Sequence, residues 1–307
     1  MHPPPSTLRN VGRIAFFTAC WLAVLAAGLS YGRTQAQDEP AQGTVPLPIF
    51  LPVVGVGELG PAPGIYDVIP IEGAPTDRPA AQHADLNLAL RGYTKTNAAL
   101  ALIDLGGETD PDAPQLDGLF DPPQLPGVAA AYKVYDWDWS CGPDGCRGAP
   151  LNTWDVTLLE VTTTRGISLF IPLREPEIYI GGYRALVLYA EATRLTLAYT
   201  RRDSAAVGYV VHLEDIQVDA GLLARYQEMD RAGRQLLPAL RNRERLGYAS
   251  SDTLKVAIRD SGMFMDPRSR KDWWMAHLMM NRQCCGSQQM NDAPVTIYHL
   301  PLISSYP

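Results

Sequence analysis

The chain has 307 residues and a net charge of −7, with 46% hydrophobic and 19% charged residues. This length and composition suffice for one large domain or two small ones with a buried core, and they argue against a disordered chain. The negative charge argues against a nucleic-acid-binding protein, because a phosphate backbone calls for a basic surface.

The N-terminal segment predicts export. Arg9 and Arg13 precede an apolar run over residues 14–29, and small residues with a cleavage site ending at Ala36 follow. A basic region, an apolar region and such a site make a signal peptide, which we expect over residues 1–36. An uncleaved membrane anchor is the alternative, although a spanning helix needs about 20 apolar residues. The expected location is extracellular or in the cell envelope.

Residues 37–64 are rich in Pro and Gly and predict an extended linker. Residues 65–126 follow with short apolar runs broken by Gly, Pro and Asp, and predict a β-rich N-terminal region. Within it, the alternation of Leu86, Leu88 and Leu90 is typical of a strand with one buried face. The sequence leaves open whether this region is a separate domain or adds strands to the next one.

Residues 127–274 predict the main domain. Runs rich in β-branched and aromatic residues, such as "TWDVTLLEVTTT" and "GYVVHLEDI", are separated by turn signals. This pattern predicts a mainly β fold, an antiparallel sandwich-like or barrel-like structure. Residues 275–307 have no clear pattern and are expected to be a tail.

Two helices are predicted within this β domain. The first is an insertion from about Gly221 to Leu237, with Asp219 as its N-cap and Pro238 as its end. The second is a short C-terminal helix after Asp266-Pro267.

Four cysteines follow the predicted signal peptide. Cys141 and Cys146 flank a Gly-Pro-Asp-Gly turn, and in an exported chain this spacing predicts a local disulfide. A zinc site would need further Cys or His residues at ligand spacing nearby. The state of Cys284 and Cys285 stays open.

The segment "YDWDWSC" alternates aromatic and acidic side chains. In a strand, Tyr135, Trp137 and Trp139 lie on one face, and Asp136 and Asp138 lie on the other. An exposed aromatic row predicts stacking on sugar rings. The alternative, which the sequence favours, places the rings in the core and the aspartates in water.

Metal and nucleophile motifs are scarce. No H-E-x-x-H, G-x-S-x-G or phosphate-binding loop occurs, so no cofactor is expected. Zinc at His83 and Asp85 is an alternative that only their i, i+2 spacing supports. Calcium is a second alternative, held by an acidic run that the sequence otherwise predicts to be a solvated loop. That run contains Asp104, Glu108, Asp110, Asp112, Asp117 and Asp121.

Over residues 166–267 the chain resembles the lysostaphin-like zinc endopeptidases of the LytM type, which are cell-wall hydrolases with small antiparallel β folds. The resemblance is carried by "GYVVHLEDIQV" and "ERLGYASSDTLKVAIRDSGMFMDP". His212 lies where the family has an active-site histidine, and Leu246-Gly247-Tyr248 matches its turn. Arg259, Gly262 and Asp266-Pro267 match the end of its last strand.

The chain departs from the family at the metal ligands. Lys255 stands where the final strand carries a zinc-binding histidine, and Thr253 replaces the preceding one; the family's His-x-x-x-Asp pair has no counterpart. A lysine ammonium has no lone pair for a metal ion. The resemblance therefore implies a metal-free, non-catalytic relative.

These patterns together predict an exported cell-envelope protein that binds or scaffolds at the cell surface, with peptidoglycan or another glycan as ligand. Membrane contact is expected only through an uncleaved anchor. The alternatives are a zinc metallohydrolase using His83, Asp85 and His212, and a structural surface protein without a small ligand. The candidate binding residues are Tyr135, Trp137, Trp139, His212 and Lys255.

Overall fold

The computed structural model describes residues 62–276. They contain fourteen β-strands: β1 Val68–Pro70, β2 Tyr93–Lys95, β3 Val128–Asp138, β4 Cys146–Pro150, β5 Leu158–Thr162, β6 Ser168–Phe170, β7 Tyr183–Glu191, β8 Arg194–Ala198, β9 Tyr209–Glu214, β10 Ile216–Val218, β11 Leu236–Arg241, β12 Arg245–Ala249, β13 Thr253–Asp260 and β14 Met263–Phe264. The α-helices of this part are α1 Leu88–Arg91, α2 Ala220–Arg231 and α3 Arg270–Trp273, and short 3-10 helices cover Ala80–Gln82 and Leu116–Leu119.

Eleven strands form one antiparallel sheet in the order β1-β11-β7-β8-β9-β13-β5-β3-β2, with β14 paired to β13 and β4 paired to β3. The strands β10, β12 and β6 form a second antiparallel sheet. The predicted mainly β, antiparallel fold is confirmed. The strand order is an open path from β1 to β2, not a closed barrel.

The region 65–126 contributes edge strands to this main sheet. β1 pairs with β11, and β2 pairs with β3. The strand predicted from Leu86, Leu88 and Leu90 is wrong, because α1 begins at Leu88. Leu86 packs into the large core, which also contains Leu159, Leu237 and Val256. Leu88 packs into a smaller core with Val134 and Phe264. The leucines thus contact two separate cores rather than one face of a sheet.

The inserted helix begins as predicted and ends early. The side chain of Asp219 accepts a hydrogen bond from the backbone N–H of Gly221 at 2.8 Å, which confirms the N-cap. The helix ends at Arg231, not near Leu237, because Gly233 and Arg234 both have positive φ. Leu237 is instead buried in β11, whose pairing with β7 outweighs the helical pattern of the sequence.

The central strands bury both faces of the sheet. On β13, Val256 and Ile258 belong to the large core, and Ala257 belongs to the smaller core beside Phe264. The face that carries Ala257 also carries Lys255 and Arg259, since alternate residues of a strand share a face. Charged side chains therefore lie on a largely covered face of the sheet.

The C-terminal part of the described chain packs back against the residues that precede α3. Trp273 and Trp274 are buried, and their indole N–H groups donate to the carbonyls of Asp266 and Pro267. No helix within residues 62–276 is long and apolar enough to cross a membrane. The predicted signal peptide, most of the predicted linker and tail, and Cys284-Cys285 lie outside the described residues.

Candidate functional site

The hairpin between β3 and β4 is closed by the predicted disulfide. Cys141 and Cys146 are bonded, with their Cα atoms 5.4 Å apart. The turn between them places Gly142 and Gly145 at φ of 74° and 77°, a conformation that glycine adopts without steric cost. The disulfide prediction is confirmed, and it fixes the end of β3 that carries the aromatic residues.

These aromatic residues lie at the surface. Tyr135 and Trp137 are half-buried and Trp139 is 38% exposed, so the interpretation that places them in the core is wrong. Asp136 and Asp138 are exposed on the opposite face, as the alternation predicts. The end of β3 extends beyond the hydrophobic cores, so side chains on both of its faces are at least partly exposed to solvent.

Trp139 sits among polar and aromatic neighbours that hold its ring. Its centroid lies 5.0 Å from that of His83 and 6.1 Å from that of Trp137, both in edge-on geometry. The guanidinium of Arg78 lies 4.7 Å from the Trp139 ring. Burial lowers the pKa of His83, so this ring is neutral at pH 7. We call Arg78, His83, Trp137 and Trp139 the aromatic patch.

The indole of Trp137 is held by the hairpin itself. Its Nε1–H donates to the carbonyl oxygen of Asp144 at 3.1 Å. A Cβ atom at Gly145 would lie 2.2 Å from this nitrogen, so only glycine fits at that position. The turn sequence therefore sets the orientation of Trp137.

A second feature is a cleft of about 400 Å³, which we call the polar cleft. Arg147 of β4 lines it and also covers the ring of Tyr135, 5.4 Å from the centroid. Tyr135 thus borders the cleft through Arg147. The lining residues are Ala89, Gly92, Tyr93, Arg147, Thr193, Arg194, Glu214 and Asp215.

A row of alternating charges crosses four strands at this cleft. Arg194 of β8 faces Glu214 of β9, which faces Lys255 of β13, which in turn faces Glu160 of β5. The ammonium of Lys255 nevertheless pairs with Asp215, the residue after β9. Burial disfavours the ammonium, but the hydrogen bond to Asp215 outweighs it and raises the pKa of Lys255.

Glu214 is the buried carboxylate of this row. It is 5% exposed, and its Oε1 atom is buried without a hydrogen-bond partner. Burial raises the pKa of Glu214, an effect that outweighs the hydrogen bond from Tyr93 and the charge of Arg194. The polar cleft therefore has in its wall a carboxylate whose charge is poorly compensated.

His212 lies two residues before Glu214 on the same face of β9 and is 1% exposed. The hydroxyl of Thr196 donates to the carbonyl of Leu86 at 2.6 Å, so its oxygen accepts from Nδ1–H of His212 at 3.0 Å. Nε2 carries the lone pair and is buried without a partner. Burial and the charge of Arg259 lower the pKa of His212 far below its usual value, so it is neutral.

Asp85 is held between two guanidinium groups rather than beside a metal site. Its carboxylate pairs with Arg91 at 2.5 Å and with Arg259 at 2.9 Å. Burial opposes its ionisation, but the charges of Arg259 and Arg91 outweigh this and lower the pKa to about 2. Within residues 62–276 no three His, Cys, Asp or Glu side chains are grouped to hold a metal ion. His83, Asp85 and His212 therefore do not form a ligand set.

The acidic run also makes contacts with protein groups. Asp104 pairs with Arg270 at 2.8 Å, and Asp110 accepts a hydrogen bond from the Tyr209 hydroxyl at 2.6 Å. These partners use carboxylate oxygens that a calcium site would need.

Several residues of the polar cleft escaped the sequence analysis. For Glu214 the signal was its period of two with His212 in the otherwise apolar "YVVHLE". Polar residues at that spacing share one face of a strand, which therefore borders a polar space. The missed residues are Tyr93, Arg147, Arg194, Glu214 and Asp215.

Comparison with protein-family models and with curated proteins gave no match to this chain.

Proposed function

We propose that the protein is an exported, non-catalytic protein of the cell envelope that binds a glycan, with peptidoglycan as the first candidate, through the aromatic patch. The observation that carries this proposal is the position of Trp139, exposed on a hairpin and flanked by Trp137, His83 and Arg78. Aromatic rings present a large apolar face with few rotatable bonds, which suits stacking against the C–H face of a sugar ring.

Two further observations support the proposal. The hairpin is held by a disulfide, a bond that persists in oxidising compartments outside the cytoplasm. The ring of Trp139 is also held before any ligand binds, so stacking costs little conformational entropy.

The resemblance to LytM-type hydrolases adds a location and a polymer by analogy at the level of the fold. Lys255, in the position of a zinc-binding histidine, forms an ion pair with Asp215. The side chain is thus a charged partner in a salt bridge, which supports a binding role over metal-dependent hydrolysis.

A sedimentation assay with insoluble peptidoglycan tests the proposal. We expect Trp139→Ala and Trp137→Ala each to weaken binding roughly tenfold, because removing a buried interface tryptophan costs over 1 kcal/mol. Each variant is checked for an intact disulfide and an unchanged melting temperature.

The matched control is Tyr179→Ala. The Tyr179 ring also lies under a guanidinium, that of Arg201 at 5.0 Å, and contacts Tyr183 at the start of β7. Its ring partners, Arg201 and Tyr183, are not members of the aromatic patch. Absence of binding by the wild-type protein would support the structural-protein alternative instead. Equal loss of binding in the control would show that the aromatic patch is not the binding surface.

A further inference from the structure

The polar cleft contains one buried polar atom that the protein leaves without a partner. Among its lining side chains, all within the described residues, this atom is Oε1 of Glu214. Two cations face Glu214 on the neighbouring strands, and both have other partners: Lys255 pairs with Asp215, and Arg194 pairs with Glu191. A buried carboxylate oxygen without a partner costs free energy. A ligand group that donates a charged hydrogen bond to it would remove this cost and gain binding free energy.

The carboxylate can meet such a group with little rearrangement. The terminal torsion of a glutamate side chain has a broad, two-fold energy profile, so either oxygen can turn towards the cleft. Tyr93, which also lines the cleft, is the protein donor to this carboxylate. A ligand ammonium fits this position better than a neutral hydroxyl, because it also compensates the charge.

Guanidinium groups line other parts of the same cleft. Arg147 is exposed and donates one Nη2–H to the carbonyl of Leu90 at 2.9 Å, which leaves further N–H groups of its fork for a ligand. Arg194, which pairs with Glu191, also lines the cleft. Guanidinium groups favour planar anions such as carboxylates.

We infer that the polar cleft binds a small zwitterion of the amino-acid type, with its ammonium on Glu214 and its carboxylate on Arg147 and Arg194. The volume of about 400 Å³ lies in the range of small-molecule sites. This inference does not rest on the proposed glycan binding, because the aromatic patch and the polar cleft use different side chains.

Titration of the purified protein with glycine, L-alanine and D-alanine, followed by calorimetry or NMR, tests the inference. We expect saturable binding of at least one of them. The N-acetylated form, which lacks the ammonium, and the amide, which lacks the carboxylate, are each expected to bind at least about tenfold more weakly.

Glu214→Gln should weaken binding of the free amino acid about tenfold and leave the N-acetylated form unchanged. Arg147→Gln, at an exposed position, should weaken binding of the free amino acid and of the N-acetylated form but not of the amide. The control is Arg165→Gln, an exposed arginine that contacts Ser250.

No saturable binding of any of the three amino acids would overturn the inference. Equal affinity for the free and N-acetylated forms would overturn it too, as would unchanged binding in Arg147→Gln. Glycan binding is measured on the same samples, so failure of one proposal is distinguished from failure of the other.

Discussion

Lys255 and Glu214 face each other on neighbouring strands, yet the Lys255 ammonium pairs with Asp215, which follows β9 at a φ of 61°. The left-handed backbone at Asp215 breaks the alternation of the strand and brings this carboxylate to Lys255. Glu214 is left with an unpartnered oxygen beside the cleft. One backbone conformation thereby decides which of two adjacent carboxylates stays available.

Asp215→Asn should remove the ion pair of Lys255 and allow its ammonium to pair with Glu214. Asparagine tolerates the left-handed conformation as well as aspartate does, so the backbone is expected to remain unchanged. We expect the pKa of Glu214 to fall, as measured by NMR of its carboxyl carbon, and amino-acid binding to weaken about tenfold. Asp252→Asn, at an exposed position before β13, is the control and should change neither quantity.

Gly145→Ala should change the aromatic patch, whereas Gly142→Ala should not. Both glycines have positive φ, so each substitution should cost about 1 kcal/mol of stability in chemical denaturation. Only at Gly145 does the new methyl group clash with Trp137, since nothing lies within 4 Å at Gly142. Tryptophan fluorescence and peptidoglycan binding should therefore change in the first variant alone; equal changes in both would contradict the proposed role of Trp137.

Acid should destabilise the protein through Asp85. Its pKa is about 2 in the folded protein, against an ordinary value of 3.8, so the unfolded chain takes up a proton first as pH falls. The stabilisation is complete above about pH 4 and is lost towards pH 2, an effect of about 2 kcal/mol. Urea denaturation between pH 5 and pH 2 measures this loss.

Asp85→Asn should remove that acid dependence and lower the free energy of unfolding by roughly 3–5 kcal/mol at neutral pH, because Arg91 and Arg259 lose their common buried partner. The control is Asp104→Asn, whose exposed ion pair with Arg270 is expected to contribute little. A variant with the wild-type acid dependence would show that other carboxylates cause it.

His212 should make stability fall at mildly acidic pH. Its pKa in the folded protein is well below the ordinary 6.5, so below that pH the unfolded chain binds a proton that the folded protein excludes. The free energy of unfolding should then fall with a slope of up to about 1.4 kcal/mol per pH unit. His212→Asn, whose amide can still donate to Thr196, should flatten this slope between pH 6.5 and 5.

The control for this measurement is His83→Asn. Burial also lowers the pKa of His83, but this ring is only half-buried, so its removal should flatten the slope less. A larger effect from His83 than from His212 would contradict the neutral, buried state assigned to His212.

The sequence by itself determined the features that depend on neighbours along the chain. The Gly-Pro-Asp-Gly turn brings Cys141 and Cys146 together, and Asp219 caps α2, because both depend on a few consecutive residues. The β-branched runs likewise predicted the antiparallel β class, since strand patterns are local.

Only the tertiary structure decided the pairings between distant residues. The segment predicted to be the end of the helix forms β11 instead, because pairing with β7 buries Leu237 in the large core. Trp139 lies at the surface because the hairpin that follows β3 extends beyond the core. Lys255 pairs with Asp215 because Asp215 adopts a left-handed backbone conformation. Strand register, burial and ion pairing depend on contacts between segments far apart in the sequence, and no local sequence pattern specifies which of the possible partners pair.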